Sequence, residues 1–572
     1  MQDSIQVTYE RWLEGVSAED KPALEKLAAD PAALSDAFYR DLAFGTGGLR
    51  GTLGMGPNRM NAYTVGKATQ GLAAWVLSRA ADGHTPSVAI GHDSRHGSVE
   101  FSQRAASVLA ANGIHACLYP RLEPTPALSF AVRDLGCDAG IVITASHNPK
   151  EYNGYKVYGP DGCQITTEMA RQIQAAIDAV DPFEGVAATP FDDALAAGSA
   201  SWIGEDALDR YVAATLARST GQDLSGLKLV YTPLNGTGTE LVTRVLAERG
   251  CTDVTLVPEQ AEPDGDFPTC PYPNPEIREA LQLGIELARS TGADMLLGTD
   301  PDADRVGIAV RHAGDYELLN GNEVGLLLLD WLTRRAVAAG ADAARLVACT
   351  TVVSAPMADD LARDLGFELR RTLTGFKFIG EQAGLLEQAG REGDFLMGFE
   401  ESYGYLSGTH VRDKDAVVSA MLICEMAAAY KAEGLDLYDA MRALYDRYGH
   451  WGSELVSVKY PGEAGAERMR EIMGSLRSEA PAELAGDAVE SVTDYASGAA
   501  MPVVNAAADE PAQRLPASDV LELRLAGGSR VLVRPSGTEP KVKAYVFARG
   551  ADAGAAADLL ARLVADVRAL LG

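Results

Sequence analysis

At 572 residues the chain exceeds what one hydrophobic core can organise, so about three to five domains are expected. Hydrophobic residues at 47% and charged residues at 23% exclude disordered and membrane-embedded classes. A formal charge of −30, from 50 basic and 80 acidic residues, repels polyanions and argues against nucleic-acid or anionic-membrane binding. An anionic substrate would therefore need Arg and Lys concentrated locally among Gly, Ser and Thr.

Two or three helices open the chain. Residues 1–27 mix acids and bases and offer no apolar signal-peptide core. The segment FGTGGLRG at 44–51 then breaks the helical pattern and carries Arg50. A short apolar strand at 87–91 runs into HDSR, which presents Arg95. The apolar run AGIVIT at 139–144 ends in Ser146-His147-Asn148-Pro149, and residues 151–156 read as a turn bearing Lys156. A serine at a strand exit needs a base, a metal or a lowered pKa to become nucleophilic, so His147 and Lys156 are its natural helpers. The hydrolase elbow G-x-S-x-G is absent, because Thr144 and Asn148 hold its glycine positions.

The Ala/Gly/Ser/Asp-rich stretch 187–206 reads as a connector between a first and a second domain. Strands followed by helical periodicity return at Lys228 and Arg345, the alternation of α/β domains. Between them, MLLGTDPDADRVGIAV sets Asp300, Asp302 and Asp304 at alternate positions after an apolar strand. Three clustered carboxylates repel one another unless a hard divalent cation relieves them, and magnesium is the expected ion. A calcium EF-hand is excluded by Arg305 and Arg311, which replace its sixth-position Gly and twelfth-position Glu. An aspartate-nucleophile phosphatase of D-x-D-x-T pattern competes on this segment, although Asp304 stands where its threonine would be.

Further along, TLTGFKFIG at 372–380 presents Thr374, Gly375 and Lys377. GFEESYGYLSGTHVRDKD at 398–415 gathers Glu400, Glu401, Ser402, Arg412 and Lys414, groups suited to sugar hydroxyls. The longest apolar stretch, 416–424, stops at Glu425, short of the roughly 20 residues a membrane span requires. Beyond Tyr448 the pattern becomes that of a small α+β domain with an antiparallel sheet and a Gly527-Gly528 hairpin. There VRPSGTEPKVK at 533–543 sets Arg534 before Ser536, Gly537 and Thr538, a phosphate-clamp composition. No P-loop or dinucleotide fingerprint occurs. Seven scattered cysteines without a CxxC pair point to a reducing cytoplasm.

TASHNP, DPDADR, GFEES and RPSGTEP, in this order, resemble the α-D-phosphohexomutase superfamily, and AFGTGGLRG, TGFKFIG and GFEESYGY its phosphoglucomutase/phosphopentomutase branch. The resemblance implies four domains around a central cleft, three related α/β domains and a C-terminal α+β domain, with expected spans 1–204, 205–321, 322–450 and 451–572. It implies reversible conversion of glucose 1-phosphate to glucose 6-phosphate through a phosphorylated Ser146 and a glucose 1,6-bisphosphate intermediate, with mannose or pentose phosphates as alternative substrates. Mg²⁺ would be held by Asp300, Asp302, Asp304 and a phosphoserine oxygen on Ser146. His147, Lys156, Lys377 and Arg50 are the implied catalytic set, among which acid and base are undecided. Arg95, Arg305, Thr374, Gly375, Glu400, Ser402 and Lys414 would contact the sugar phosphate, while Arg534, Ser536, Gly537 and Thr538 would hold the non-transferring phosphate. Where the phosphomannomutase branch has Gly-His, this chain has Tyr403-Gly404, so no role for that histidine carries over, and His410 is no obvious substitute. Sugar phosphates are the expected partners of a monomer or small homo-oligomer, without nucleic acid or membrane.

Overall fold

The computed structural model describes residues 2–45, 47–460, 462–506, 513–536 and 541–572. The chain divides into two compact units, one of Met1–Leu318 with Ala383–Gly390 and Gly404–Ala428, the other of the remaining segments.

In the first unit, three helices (Gln2–Gly15, Lys21–Ala28 and Pro31–Phe38) precede a six-stranded mixed sheet. Its order is Gly48–Thr52, Tyr152–Tyr158, Ala139–Ile143, Ser87–His92, His115–Leu118, Ala200–Trp202. Strand Ala139–Ile143 is buried along its whole length, as an apolar run covered on both faces should be. It lies parallel to Ser87–His92 and antiparallel to Tyr152–Tyr158. Helices Ala62–Arg79 and Thr167–Asp178 bring Val65, Leu72 and Ile173 into one core with Ile90, Ile141, Ile143 and Val157.

Two expectations change here. The segment read as a turn bearing Lys156 is the strand Tyr152–Tyr158, paired on both sides. Asn153 and Gly154 have poor strand propensity, but two neighbouring ladders override it. The expected connector at 187–206 contains helix Phe191–Ala196 and edge strand Ala200–Trp202, which completes the first sheet. Gly48, with φ +143°, shows why the opposite edge needs glycine: a Cβ there would meet the Tyr155 carbonyl oxygen at 1.9 Å. A side chain at that φ would be strained as well.

The second sheet runs Asp315–Leu319, Val306–His312, Met295–Thr299, Lys228–Thr232, Asp253–Leu256. Met295–Thr299 is parallel to Lys228–Thr232 and antiparallel to Val306–His312, with Thr299 opposite Val306. The aspartate loop is thus the short return between two paired strands, and Ala303 takes a left-handed φ of +48° within it.

In the second unit, Phe395–Glu400, Val347–Thr351, Glu368–Thr372 and Val503–Val504 lie side by side in a mixed sheet. An antiparallel sheet follows in the order His450–Lys459, Lys541–Gly550, Arg530–Pro535, Leu521–Leu525, Asp487–Asp494, Glu483–Leu484. Helices Gly462–Ser478 and Ala553–Leu571 contribute Ile472, Leu476, Leu563 and Val567 to the core that includes its inner face.

Buried Asp359 joins these two sheets electrostatically: its carboxylate meets Arg371 Nε at 2.7 Å and Arg530 Nη2 at 2.9 Å. Burial alone would raise its pKa, but the two guanidinium groups hold it down at about 2. Because the folded pKa is depressed, the pair stabilises above the unfolded carboxylate pKa and the contribution is lost as pH falls through the folded value. Asp359→Asn is expected to destabilise by about 3 kcal/mol at pH 7 through uncompensated buried guanidinium charge. In thermal unfolding, the gap from wild type should shrink between about pH 4 and pH 2.

Candidate active site

Ser146 sits just past the end of the central strand Ala139–Ile143, with its backbone in the left-handed region at φ +52°. Its amide donates to Thr144 Oγ1 at 2.8 Å, a local bond that supports this conformation. The Ser146 hydroxyl donates to Asp300 Oδ2 at 2.7 Å and lies 3.1 Å from His147 Nδ1. Residues 154 positions apart thereby meet at one point.

Asp300, Asp302 and Asp304 are all buried, with one carboxylate oxygen from each within 4.8 Å of the others. Lys156 Nζ reaches Asp302 Oδ2 at 2.7 Å and Asp304 Oδ2 at 3.2 Å, while Lys414 Nζ reaches Asp304 Oδ2 at 3.1 Å. Two ammonium groups leave one carboxylate charge of the three without a neighbouring lysine. Burial, Asp302 and Asp304 accordingly push the Asp300 pKa well above the ordinary carboxylate range. The Asp302 pKa lies below that range: burial opposes this, and Lys156 more than offsets it. Asp302 Oδ1 and Asp304 Oδ1 are buried without a hydrogen-bond partner, which suits a hard cation bound by oxygen donors.

The supports of this site come from several elements. Thr125, in the first turn of helix Thr125–Asp134, donates its amide to the Asp302 carbonyl at 2.9 Å and its hydroxyl to Asp302 Oδ2 at 3.0 Å. Lys156 and Tyr158 share one face of their strand. Tyr158 donates to Asp413 Oδ2 at 2.7 Å, and Asp413 Oδ1 accepts from Lys414 Nζ at 2.9 Å. Thr125, Tyr158 and Asp413 escape a reading by motif; only the Pro-Thr-Pro helix start at 124–126 and the alternation of Tyr158 with Lys156 hint at them.

Around the serine, Arg50 Nη1 donates to Asn148 Oδ1 at 3.1 Å from the neighbouring edge strand. Arg305 pairs with Glu276 Oε1 at 2.5 Å and stands 3.7 Å from Asp304. Burial, then Arg305 and Arg50, push the His147 pKa well below its ordinary value, so its imidazole is neutral at pH 7. Lys156 behaves oppositely. Burial disfavours its charge, yet Asp302 and Asp304 raise its pKa. Arg95 turns its guanidinium toward the carbonyls of the serine loop, with contacts to Ser146, Asn148, Pro149 and Tyr152.

The second unit assembles its own group. Gly375, at φ +120°, donates its amide to Glu400 Oε1 at 2.8 Å. A side chain would be strained in that conformation. Thr374 precedes it with a buried hydroxyl that has no hydrogen-bond partner. Lys377 follows in the first turn of helix Phe376–Gln388, its ammonium 5.3 Å from the centre of the Phe378 ring. Ser402 lies partly exposed in the turn after Glu400. Arg534 closes strand Arg530–Pro535 and donates to Tyr545 Oη at 3.4 Å, and the Ser536 amide donates to the Lys541 carbonyl. Gly537 and Thr538, expected in the phosphate clamp, lie outside the described residues.

Four family profiles match in chain order: "Phosphoglucomutase/phosphomannomutase, alpha/beta/alpha" domains I, II and III at residues 41–183, 209–314 and 320–448, and the C-terminal domain at 491–566. The chain belongs to the phosphoglucomutase/phosphomannomutase family. Among members of this family, the phosphoglucomutase of Staphylococcus epidermidis strain RP62A is 37% identical over 516 residues, 88% of this chain and 90% of that protein. The phosphoglucomutase of Staphylococcus aureus strain USA300 is 36% identical over 517 residues, covering 89% and 90%. Among solved structures, the open form of parafusin from Paramecium aligns with a TM-score of 0.68 at 17% identity, over 93% of this chain and 96% of that one. A phosphoglucomutase/phosphomannomutase family protein from Burkholderia thailandensis aligns with a TM-score of 0.65 at 20% identity, over 92% and 96%. These likenesses carry the four-domain fold. Among the described residues no helix is long and apolar enough to cross a membrane.

Proposed function

We propose that this family member is a phosphosugar mutase that interconverts glucose 1-phosphate and glucose 6-phosphate through phosphorylated Ser146. One observation carries the reading: the Ser146 hydroxyl donates to Asp300, joining a nucleophile to a three-carboxylate loop that suits a cation. The choice of glucose rests on the relatives named phosphoglucomutase.

In the forward half-reaction, the sugar's free hydroxyl oxygen bonds to the phosphorus on Ser146 as the Oγ–P bond breaks. The sugar's hydroxyl proton passes to a base, the leaving Oγ takes a proton from an acid, and glucose 1,6-bisphosphate results. In the return half-reaction Ser146 Oγ gives up its proton to a base as it bonds to the other phosphorus, that phosphoryl group's bond to the sugar breaks, and the sugar oxygen takes a proton from an acid. His147, whose Nδ1 lies 3.1 Å from the Ser146 hydroxyl, is a candidate acid or base, whereas Lys156, held cationic by two carboxylates, suits charge stabilisation or proton donation. Lys377 is a further candidate acid or base, and Arg50 faces the serine loop. Asp300, Asp302 and Asp304 would hold Mg²⁺ together with a phosphoserine oxygen, and the cation supplies electrostatic stabilisation of the transferring phosphoryl charge. Thr374, Gly375, Glu400, Ser402, Lys414 and Arg305 are assigned to the sugar phosphate. Arg534, Ser536, Gly537 and Thr538 are assigned to the phosphate that is not in transfer. The domain spans of this reading are 1–204, 205–321, 322–450 and 451–572. All seven cysteines are free thiols, which suits a cytoplasmic enzyme; a monomer or small homo-oligomer completes the proposal.

Incubation with glucose 1,6-bisphosphate followed by intact-mass analysis tests the chemistry. Wild type should gain one phosphate and Ser146→Ala none; an adduct that survives this change and maps to Asp300 would establish an aspartate-nucleophile hydrolase instead. A comparison of kcat/KM for glucose, mannose and ribose phosphates tests the substrate. Glucose phosphates should lead by at least about tenfold, the scale of one well-placed hydroxyl contact, and equal values would overturn the preference.

A further inference from the structure

We infer that Arg95 is a positioning residue that holds the phosphate-carrying serine in its left-handed conformation, in place of the substrate contact its sequence neighbourhood suggested. The inference deepens the mutase reading and rests on it for its catalytic consequence alone.

A guanidinium group has five N–H donors and no acceptor. At Arg95 each of them faces an oxygen of the protein. Nη2 donates to the carbonyls of Ser146 and Asn148, both at 2.5 Å, and Nη1 donates to those of Pro149 at 2.8 Å and Tyr152 at 3.1 Å. Nε faces Asp93 Oδ2 at 3.1 Å, and both side chains of this ion pair are fully shielded from solvent. Neither Nη nitrogen has a donor left for a substrate phosphate, and Nε, which makes the ion pair without a hydrogen bond, is closed off from solvent beside Asp93.

The side chain is itself held from three directions. Asp93 Oδ1 accepts from the Arg95 amide at 3.0 Å and from Ser98 Oγ at 2.8 Å. Ser98 Oγ in turn accepts from Asn153 Nδ2 at 3.0 Å, which ties this loop to the strand that bears Lys156. From the second sheet's domain, Phe267 lays its ring 5.0 Å from the guanidinium carbon, within the range of a cation–π contact. The approach is close, because Gly265 two residues earlier has room for no side chain: a Cβ there would meet the Ser94 carbonyl oxygen at 2.8 Å.

Four carbonyls converging on one cation explain how Ser146 is kept at φ +52°. L-residues other than glycine seldom occupy that region. Without the guanidinium, the clustered carbonyl oxygens repel and lose their donors. The loop then relaxes toward ordinary φ and swings Oγ away from Asp300. Lysine cannot substitute, since an ammonium offers three donors without the planar fork.

The test uses full-length Arg95→Lys and Arg95→Ala, each first shown to unfold cooperatively. Phosphate uptake at Ser146 from glucose 1,6-bisphosphate should slow by about 100-fold, the cost of a displacement of about 1 Å at a reacting group. KM for glucose 1-phosphate should stay within about twofold, and added guanidinium ion at non-denaturing concentration should restore part of the Arg95→Ala rate without accelerating wild type. Hydrogen exchange of the amides in residues 146–152 should rise in both variants whatever their activity. A raised KM at unchanged uptake rate would overturn the inference in favour of a substrate contact, and unchanged exchange in this loop would overturn it outright. Failure of the wild type to take up phosphate would count against the mutase reading, while the exchange result would still decide the role of Arg95.

Discussion

Replacing Ser146 by alanine is expected to lower kcat on glucose 1-phosphate by on the order of 10⁴-fold or more while leaving the fold intact. Loss of a covalent nucleophile removes the pathway itself, and losses of this size or larger follow when the remaining machinery works only with that group present. The substitution is small in structural terms. Ser146 contributes one side-chain hydrogen bond as donor, to Asp300, and its neighbours Thr144 and Asn153 keep their own partners. Stability should change by less than about 1 kcal/mol, because Asp300, whose pKa burial already raises, can take up a proton when its donor is lost. Thermal unfolding beside steady-state kinetics checks both halves. A variant that keeps more than a few per cent of wild-type kcat would remove Ser146 from the chemistry.

The second large effect is expected at Asp302. Asp302→Asn takes a charge from a buried group of three carboxylates and two lysines, and it leaves Lys156 with Asp304 as its remaining carboxylate partner. Without added metal, the wild-type loop carries the strain of adjacent carboxylates. Magnesium at 100 times its dissociation constant should therefore stabilise wild type by about 2.7 kcal/mol, seen as a rise in Tm. The same magnesium concentration should raise the Tm of Asp302→Asn little or not at all, and kcat should fall by about 10³-fold, since oriented charge at the transferring phosphoryl group supplies most of the rate. Equal Tm responses in wild type and variant would show that the cation, if bound, does not depend on this loop.

Much of the site is legible in the residues alone. Ser146 at a strand exit, three aspartates at alternate positions and Arg534 before Ser-Gly are local patterns, each bound to one loop and read from spacing. Arg95 shows the limit of that reading. An arginine in a polar loop after a strand looks the same whether it faces ligand or protein, and only the positions of four carbonyls from 146–152 distinguish the two. Residues 151–156 mark a second limit: Asn153 and Gly154 favour a turn by propensity, and the ladders that make them a strand come from residues 48–52 and 139–143.

Residue order alone marks the candidate side chains for chemistry, and it dictates that the domains alternate strands and helices before an antiparallel end and that the field of the chain opposes polyanions. Short-range stereochemistry suffices for those, since side-chain period, turn residues and formal charge act over a few positions. Folding in three dimensions selects which groups meet: Ser146 with Asp300, Lys156 with Asp302, Thr125 with the Asp302 loop, Arg95 with the serine's own backbone. Those partners stand far apart along the chain. Their meeting depends on strand order and on which sheet end each loop leaves, and no local propensity encodes that order.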